Sequence, residues 1–168
     1  EKRKKSTFVK QLKAAVVVAS DSVSAGKKKD RSGIIIRERL IANGMDVVDY
    51  QILPDDEADI ADKLKSLADE SQVDLVITTG GTGLSPRDRV PEAMSAVIER
   101  EAPGIPEAAR AYGQGRTPYS MLSRGRCGLR GKTLIVNLPG SSRGATESLE
   151  ALFPYLLHAF KIIRGGGH

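Results

Sequence analysis

From residue 14 onward the chain alternates short apolar runs with amphipathic stretches, which predicts strands and helices in turn. Residues 14–19 are continuously apolar around Val16, Val17 and Val18, as a parallel strand buried on both faces requires. Residues 32–43 predict a helix with Ile35, Ile36 and Leu40 apolar, a cap at Asp30 or Ser32 and a stop at Asn43-Gly44. A second strand spans 45–53. The next helix is capped by Asp55 or Asp56 and buries Ile60, Ala61, Leu64, Leu67 and Ala68 at i, i+3, i+4 spacing. A third strand is expected over 73–78. Pro91 suits a first helical turn, so 92–100 reads as a helix ended by Pro103-Gly104, and 104–116 as a further helix or lid. A short strand at 119–123, a clear apolar strand at 132–138 and one long helix from Ser142 complete the pattern. That last helix places Ala145, Leu149, Leu152, Phe153, Leu156, Phe160 and Ile163 on one stripe. The succession implies an α/β fold in three layers, a mostly parallel sheet with helices on both faces.

In such sheets ligands sit beyond the carboxyl ends of the strands. The segments there are Ser20-Asp21-Ser22, Pro54-Asp55, residues 78–83, and the stretch from Asn137 through Pro139, Gly140 and Ser141 to Ser142. The third carries most information. After the apolar Leu75, Val76 and Ile77, the sequence Thr78-Thr79-Gly80-Gly81-Thr82-Gly83 lets backbone N–H groups approach an anion without Cβ interference. A plain strand-to-helix connection is the competing reading. The spacing matches neither the nucleotide P-loop nor the dinucleotide fingerprint.

Charge narrows the ligand class. The 168 residues carry a net +5, but residues 1–10 hold five basic groups against Glu1, so the remainder is nearly neutral. With four Tyr, three Phe and no Trp, little is available to stack bases, and a nucleic-acid surface is excluded. No apolar run reaches the roughly 20 residues needed to span a bilayer, and the single Cys127 rules out an internal disulfide framework. A cytoplasmic location follows as the expectation. We divide the chain into a basic arm or linker at 1–12, one domain at 13–164 and a tail at 165–168.

The residue inventory restricts the chemistry. His158 follows Leu156 and Leu157 on the terminal helix, and Cys127 has no histidine close in sequence, so nucleophilic and zinc chemistry both lack parts. Asp, Ser, Thr, Arg and backbone amides remain. They suit phosphate chemistry, in which the substrate brings its own nucleophile. Carboxylates at Asp21, Asp55 and Asp88 fit an anion site when Mg²⁺ bridges them to phosphate oxygens; Asp21, Asp30 and Asp55, read only as helix caps, would need no metal. Arg87 and Arg124 are either stabilisers of a transferred phosphoryl group or surface ion-pair partners.

Nine segments in order resemble those of the molybdenum-cofactor biosynthesis family, which includes the bacterial Mog and MoaB proteins and the G domain of gephyrin. They are Ala19-Ser-Asp-Ser-Val-Ser24, Asp30-Arg-Ser-Gly33, Leu53-Pro-Asp55, Thr78-Thr-Gly-Gly-Thr-Gly83, Ser85-Pro-Arg-Asp88, Pro91-Glu-Ala93, Met121-Leu-Ser-Arg124, Gly128-Leu-Arg-Gly131 and Val136-Asn-Leu-Pro-Gly140. The resemblance covers residues 13–164 and implies Mg²⁺-dependent transfer of AMP from ATP to the terminal phosphate of molybdopterin, by a homotrimer. It places Ser20, Asp21, Asp55, Thr82, Ser123 and Asn137 in the functional rim; we assign catalytic roles to Asp55, Thr82, Asp88 and Ser123, with Asp55 and Asp88 on Mg²⁺ or its waters. Ser20, Asp21, Ser22, Thr79, Gly80, Gly81, Thr82 and Gly83 are assigned to the nucleotide and its phosphates. Ser123, Arg124, Asn137, Pro139, Gly140 and Ser141 are assigned to the pterin. Partners would be other cofactor-biosynthesis proteins, in contact or fused, with neither nucleic acid nor membrane. A non-catalytic molybdopterin-binding or scaffold domain is the alternative. The related molybdenum-insertion branch usually carries Ser-Gly-Asp-Glu after its first strand, where this chain has Ser20-Asp-Ser-Val23.

Overall fold

The structure is a computed structural model that describes residues 12–166. Most of the expected arm and half of the expected tail lie outside them. Leu12, placed in the arm by sequence, belongs to the core: it is fully buried and its carbonyl accepts the Asp46 amide at 3.0 Å.

Six strands form one sheet in the order β2-β1-β3-β6-β5-β4. The first four, β1 (Lys13–Ala19), β2 (Asp46–Leu53), β3 (Leu75–Thr79) and β6 (Thr133–Leu138), are parallel to one another. The last two, β4 (Arg100–Glu101) and β5 (Cys127–Arg130), run antiparallel at one edge. Alternation along each central strand supplies two cores. Ala14, Val16, Val18, Leu75, Ile77, Leu134, Val136 and Leu138 face one side, where α2 (Ser32–Ala42), α5 (Gly104–Gln114), α6 (Ser142–Leu152) and α7 (Leu157–Ile163) pack. Ala15, Val17, Ala19, Val76 and Ile135 face the other, under α3 (Glu57–Asp69) and α4 (Val90–Ser95). A four-residue helix, α1 (Asp21–Ser24), follows β1. Burial on both faces explains the apolar runs at residues 14–19, 75–77 and 134–136 in the central strands.

Several elements differ from expectation. Residues 119–123 are not a strand; they run through a 3-10 turn, Pro118–Leu122, to its C-cap Ser123, and the Thr117 side chain caps its start at the Tyr119 amide. The helix expected over 92–100 is shorter; it ends at Ser95, and Arg100 pairs with Leu129 in β4. The terminal stripe is buried largely as expected, but Pro154 lacks an N–H and two helices replace one. Asp56 rather than Asp55 caps α3, accepting the Asp59 amide at 2.9 Å. Asp30 accepts the Gly33 amide at 3.0 Å at the start of α2.

After β1 the chain adds β2 on one side and β3 on the other, which puts the switch in strand order between β1 and β3. The loops after these two strands must therefore lie side by side at the carboxyl rim.

Candidate functional site

The glycine loop leaves β3 against the end of β1. Gly80 has φ +93, and a Cβ there would lie 2.2 Å from the Ala19 carbonyl oxygen, so only glycine fits. Gly81, with φ +67, turns the chain toward Val90. Across the rim, Gly140 approaches so closely that its Cβ would lie 3.1 Å from the Gly80 Cα.

Hydrogen bonding orients this loop. Carbonyls point into the protein: Gly81 accepts from the Val90 amide at 3.1 Å, Thr82 from the Arg124 amide at 2.7 Å and Gly83 from Arg124 Nε at 2.8 Å. The Gly80 amide donates to the Leu138 carbonyl. Among the described residues, no protein acceptor meets the amides of Gly81, Thr82 and Gly83. A loop with its carbonyls tied back and three successive amides uncommitted has donors available for an anion.

The loop borders a cavity of about 430 Å³. Gly80, Gly81, Thr82, Gly83 and Asp88 form one side; Ser123, Gly125, Asn137, Pro139, Gly140 and Ser141 form another. The remaining wall comes from α5, the 3-10 turn and the link between them, through Arg110, Gly113, Arg116, Tyr119 and Ser120, and from Gly144, Glu147 and Ser148 of α6. Sequence reading missed this wall. Its signal was the Gly- and Arg-rich segment 104–116, whose helical face toward the rim is fixed only by packing on α6.

Beside the cavity, a second cluster joins the loops after β1 and β2. Asp21 and Asp55 clasp each other's backbone: the Asp55 amide donates to Asp21 Oδ1 at 2.9 Å, and the Asp21 amide to Asp55 Oδ2 at 3.1 Å. Arg87 grips Asp21 with Nε and Nη2 at 3.0 and 2.9 Å. That guanidinium, aided by the Asp55 amide, holds the Asp21 carboxyl below the usual range. Asp55 moves oppositely, because burial, together with the nearby charges of Asp21 and Asp88, pushes its carboxyl up. Its Oδ1 is buried without a hydrogen-bond partner, and a Cβ on Gly81 would lie 3.5 Å from it.

The assigned residues therefore separate by position. Thr82, Gly80, Gly81, Gly83, Asp88, Ser123, Asn137, Pro139, Gly140 and Ser141 line the cavity. Ser20, Asp21, Ser22 and Asp55 do not line it; Ser20 caps α1 and its hydroxyl meets that of Ser22 at 3.2 Å. Thr79 lies behind the loop, fully buried, with its hydroxyl donated to the Pro139 carbonyl at 2.8 Å. Arg124 is also behind it: Nη1 and Nη2 bind Glu92 at 2.7 and 3.1 Å, and Nη2 also meets the Asp88 carbonyl at 2.6 Å. With its donors spent on protein, Arg124 clamps the loop from outside the cavity, and the Thr79 hydroxyl ties the end of β3 to Pro139 across the rim. Asn137 is held at both ends, donating to Thr78 and accepting the Arg126 amide.

Among the described residues no group of three or more His, Cys, Asp or Glu side chains is arranged for a metal. Mg²⁺ bound mainly through ligand phosphates and water needs only one or two carboxylates. The unpartnered Asp55 Oδ1, with Asp88 near enough to raise its pKa, meets that lesser requirement. Cys127 is fully buried and its thiol is pushed up to about 12 by burial, so it is no nucleophile. Among the described residues no helix is long and apolar enough to cross a membrane.

The family model described as "Probable molybdopterin binding domain" matches residues 15–158. A molybdopterin adenylyltransferase of Helicobacter pylori strain J99 is 40% identical over 152 residues, covering 89% of this chain and 86% of that protein. A molybdenum cofactor biosynthesis bifunctional protein of Chlorobaculum tepidum is 38% identical over 156 residues, 93% of this chain; the chain spans 50% of that relative's length. The crystal structure of the molybdopterin biosynthesis enzyme MoaB from Thermus thermophilus superposes with a TM-score of 0.87 at 43% identity, covering 92% of this chain and 98% of that one. Matched by the family model over residues 15–158 and by these relatives along most of its length, the chain belongs to the molybdenum-cofactor biosynthesis family of molybdopterin-binding domains.

Proposed function

We propose that this chain transfers the adenylyl group of ATP to the terminal phosphate of molybdopterin. The observation that carries the reading is the rim itself: three loop residues with uncommitted amides line a cavity of about 430 Å³ while an unpartnered carboxylate oxygen of Asp55 lies beside Gly81. The name of the Helicobacter relative supports the same chemistry. A phosphate oxygen of the pterin attacks the α-phosphorus of ATP, the bond from that phosphorus to the α,β-bridging oxygen breaks, and pyrophosphate leaves with the electron pair. The attacking group is already an anion near neutral pH. No histidine base is needed, and the protein's tasks are alignment and charge compensation.

In this reading the amides of Gly81, Thr82 and Gly83 hold nucleotide phosphate oxygens, and the Thr82 hydroxyl adds a donor. Ser123, Asn137 and the turn at Pro139, Gly140 and Ser141 border the pterin. Asp55 and Asp88 would hold Mg²⁺, directly or through its waters; bound there, the ion neutralises charge on the phosphates. Asp21 and Arg87 fix the Asp55 backbone rather than touch substrate. The family resemblance supports a homotrimer in the cytoplasm, and the bifunctional relative supports work beside other cofactor-biosynthesis proteins.

The test is direct. Purified protein given molybdopterin, ATP and Mg²⁺ releases pyrophosphate, and Asp55→Ala still binds the pterin but turns over on the order of 100-fold more slowly. Pyrophosphate no higher than in a pterin-free control would leave a binding or scaffold domain and remove the catalytic reading.

A further inference from the structure

The arginines around the site are nearly all answered by carboxylates. Arg87 pairs with Asp21, Arg116 with Glu147, Arg124 with Glu92 and Arg126 with Glu101. Arg110 is different. It projects from α5 into the cavity wall, half-buried, and among the described residues it forms no ion pair. Its Nη1 donates to the Gly125 carbonyl at 2.8 Å and more weakly to the Ser123 carbonyl at 3.4 Å. Its helix is held in turn by the Ser120 hydroxyl, which donates to the Arg110 carbonyl at 2.8 Å.

A guanidinium has five N–H donors in a planar fork, and two carbonyls at one nitrogen leave most of them unused. Nε and Nη2 find no protein acceptor among the described residues. The acids that share the cavity are already engaged: Glu147 faces Arg116, and Asp88 accepts the Ser85 amide at 2.9 Å. A partly desolvated cation without a counter-charge is costly to keep, and a bound anion repays that cost. The same cavity also presents the uncommitted amides of the glycine loop.

We propose that Arg110 is a phosphate-binding residue of this cavity, its Nε and Nη2 edge taking ligand phosphate oxygens while Nη1 holds the turn at Ser123 and Gly125. The class of ligand rests on the adenylyl-transfer reading; the shared chemistry is a phosphate group, brought by either the nucleotide or the pterin. Planar bidentate recognition of phosphate is what arginine does and lysine does not.

Calorimetric titration of wild type, Arg110→Gln and Arg110→Lys tests this with two ligand pairs. One pair is ATP and adenosine; the other is molybdopterin and the same pterin after phosphatase treatment. Arg110→Gln weakens the phosphate-bearing member of one pair on the order of 10- to 100-fold and leaves its phosphate-free partner within about twofold. Arg110→Lys recovers part of the loss as a point charge. The pair that responds identifies the source of the phosphate. Equal losses for both members of each pair would reduce Arg110 to a support for the Ser123 turn, and unchanged affinities would dismiss it altogether; either result overturns the proposal. Urea midpoints of both variants confirm that folded protein is being titrated. Because binding rather than turnover is read, a protein that binds as described yet releases no pyrophosphate would sink the catalytic reading alone.

Discussion

Replacing Gly80 by alanine isolates the steric demand that seats the glycine loop on β1. Two costs add. The first is backbone strain, because an L side chain at φ +93 costs about 1–3 kcal/mol. The second is collision: the new Cβ would lie 2.2 Å from the Ala19 carbonyl oxygen, a backbone atom of a strand paired on both sides, which cannot step aside. Forced overpacking of this kind costs about 1–3 kcal/mol more. Gly26 supplies the control. It has φ +74 but nothing within 4 Å of its Cβ position, so Gly26→Ala carries only the backbone cost. Urea unfolding of the two variants, fitted with a common m-value, therefore separates the terms. Gly80→Ala should fall below Gly26→Ala by about 1–3 kcal/mol, and nucleotide affinity should drop only in Gly80→Ala. Equal stabilities would mean that the contact with Ala19 relaxes freely, and the reasoning that fixes the loop to the strand would be wrong.

Two further outcomes follow from titrating groups. Burial raises the Asp55 pKa above its unfolded value, so across that interval the folded chain holds a proton the unfolded chain has lost, and stability declines as pH rises through it. Asp55→Asn should unfold at a higher temperature than wild type at pH 7 in the presence of EDTA, with the gap closing as the solution is acidified below the ordinary carboxylate range; a gap independent of pH would contradict the assignment. For Cys127, full burial and a thiol pushed up to about 12 predict that Ellman's reagent at pH 8 labels native protein only as fast as the fold opens, and promptly in 6 M guanidinium by about the intrinsic thiol rate.

The central fold was legible because β1, β3 and β6 bury both faces and so carry apolar runs, with their few polar residues at the strand ends, where Thr78, Thr79, Thr133 and Asn137 are hydrogen-bonded inside. The edge was not. Cys127, Gly128, Leu129 and Arg130 have no periodicity of their own, and their strand exists because β6 pairs with them. Likewise a Cβ on Gly128 would meet the Arg100 carbonyl at 2.7 Å, a contact that joins β4 to β5 and has no trace in local sequence. At the site, the residues directly following strands were readable from the rim rule, since strand ends dictate where their loops emerge. The direction of a side chain was not. Thr79 and Thr82 are three positions apart with the same chemistry, yet one hydroxyl is spent inside and the other residue lines the cavity. Arg124 shows the same limit: a carboxylate distant in sequence, Glu92, pairs with it behind the loop, while Arg110, unremarked in the sequence, lines the cavity with no carboxylate partner among the described residues.

The tethered carbonyls of the glycine loop also set the temperature behaviour of recognition. A flexible loop would surrender conformational entropy when it closed on an anion, about 1–2 kcal/mol for each residue ordered. Here Val90 and Arg124 have immobilised those residues before any ligand arrives, and Glu92, which touches no part of the cavity, keeps Arg124 in position. Loosening Glu92 would therefore surface as an entropic penalty on anion binding that steepens on warming, a remote residue felt through the stiffness of the receptor rather than through contact.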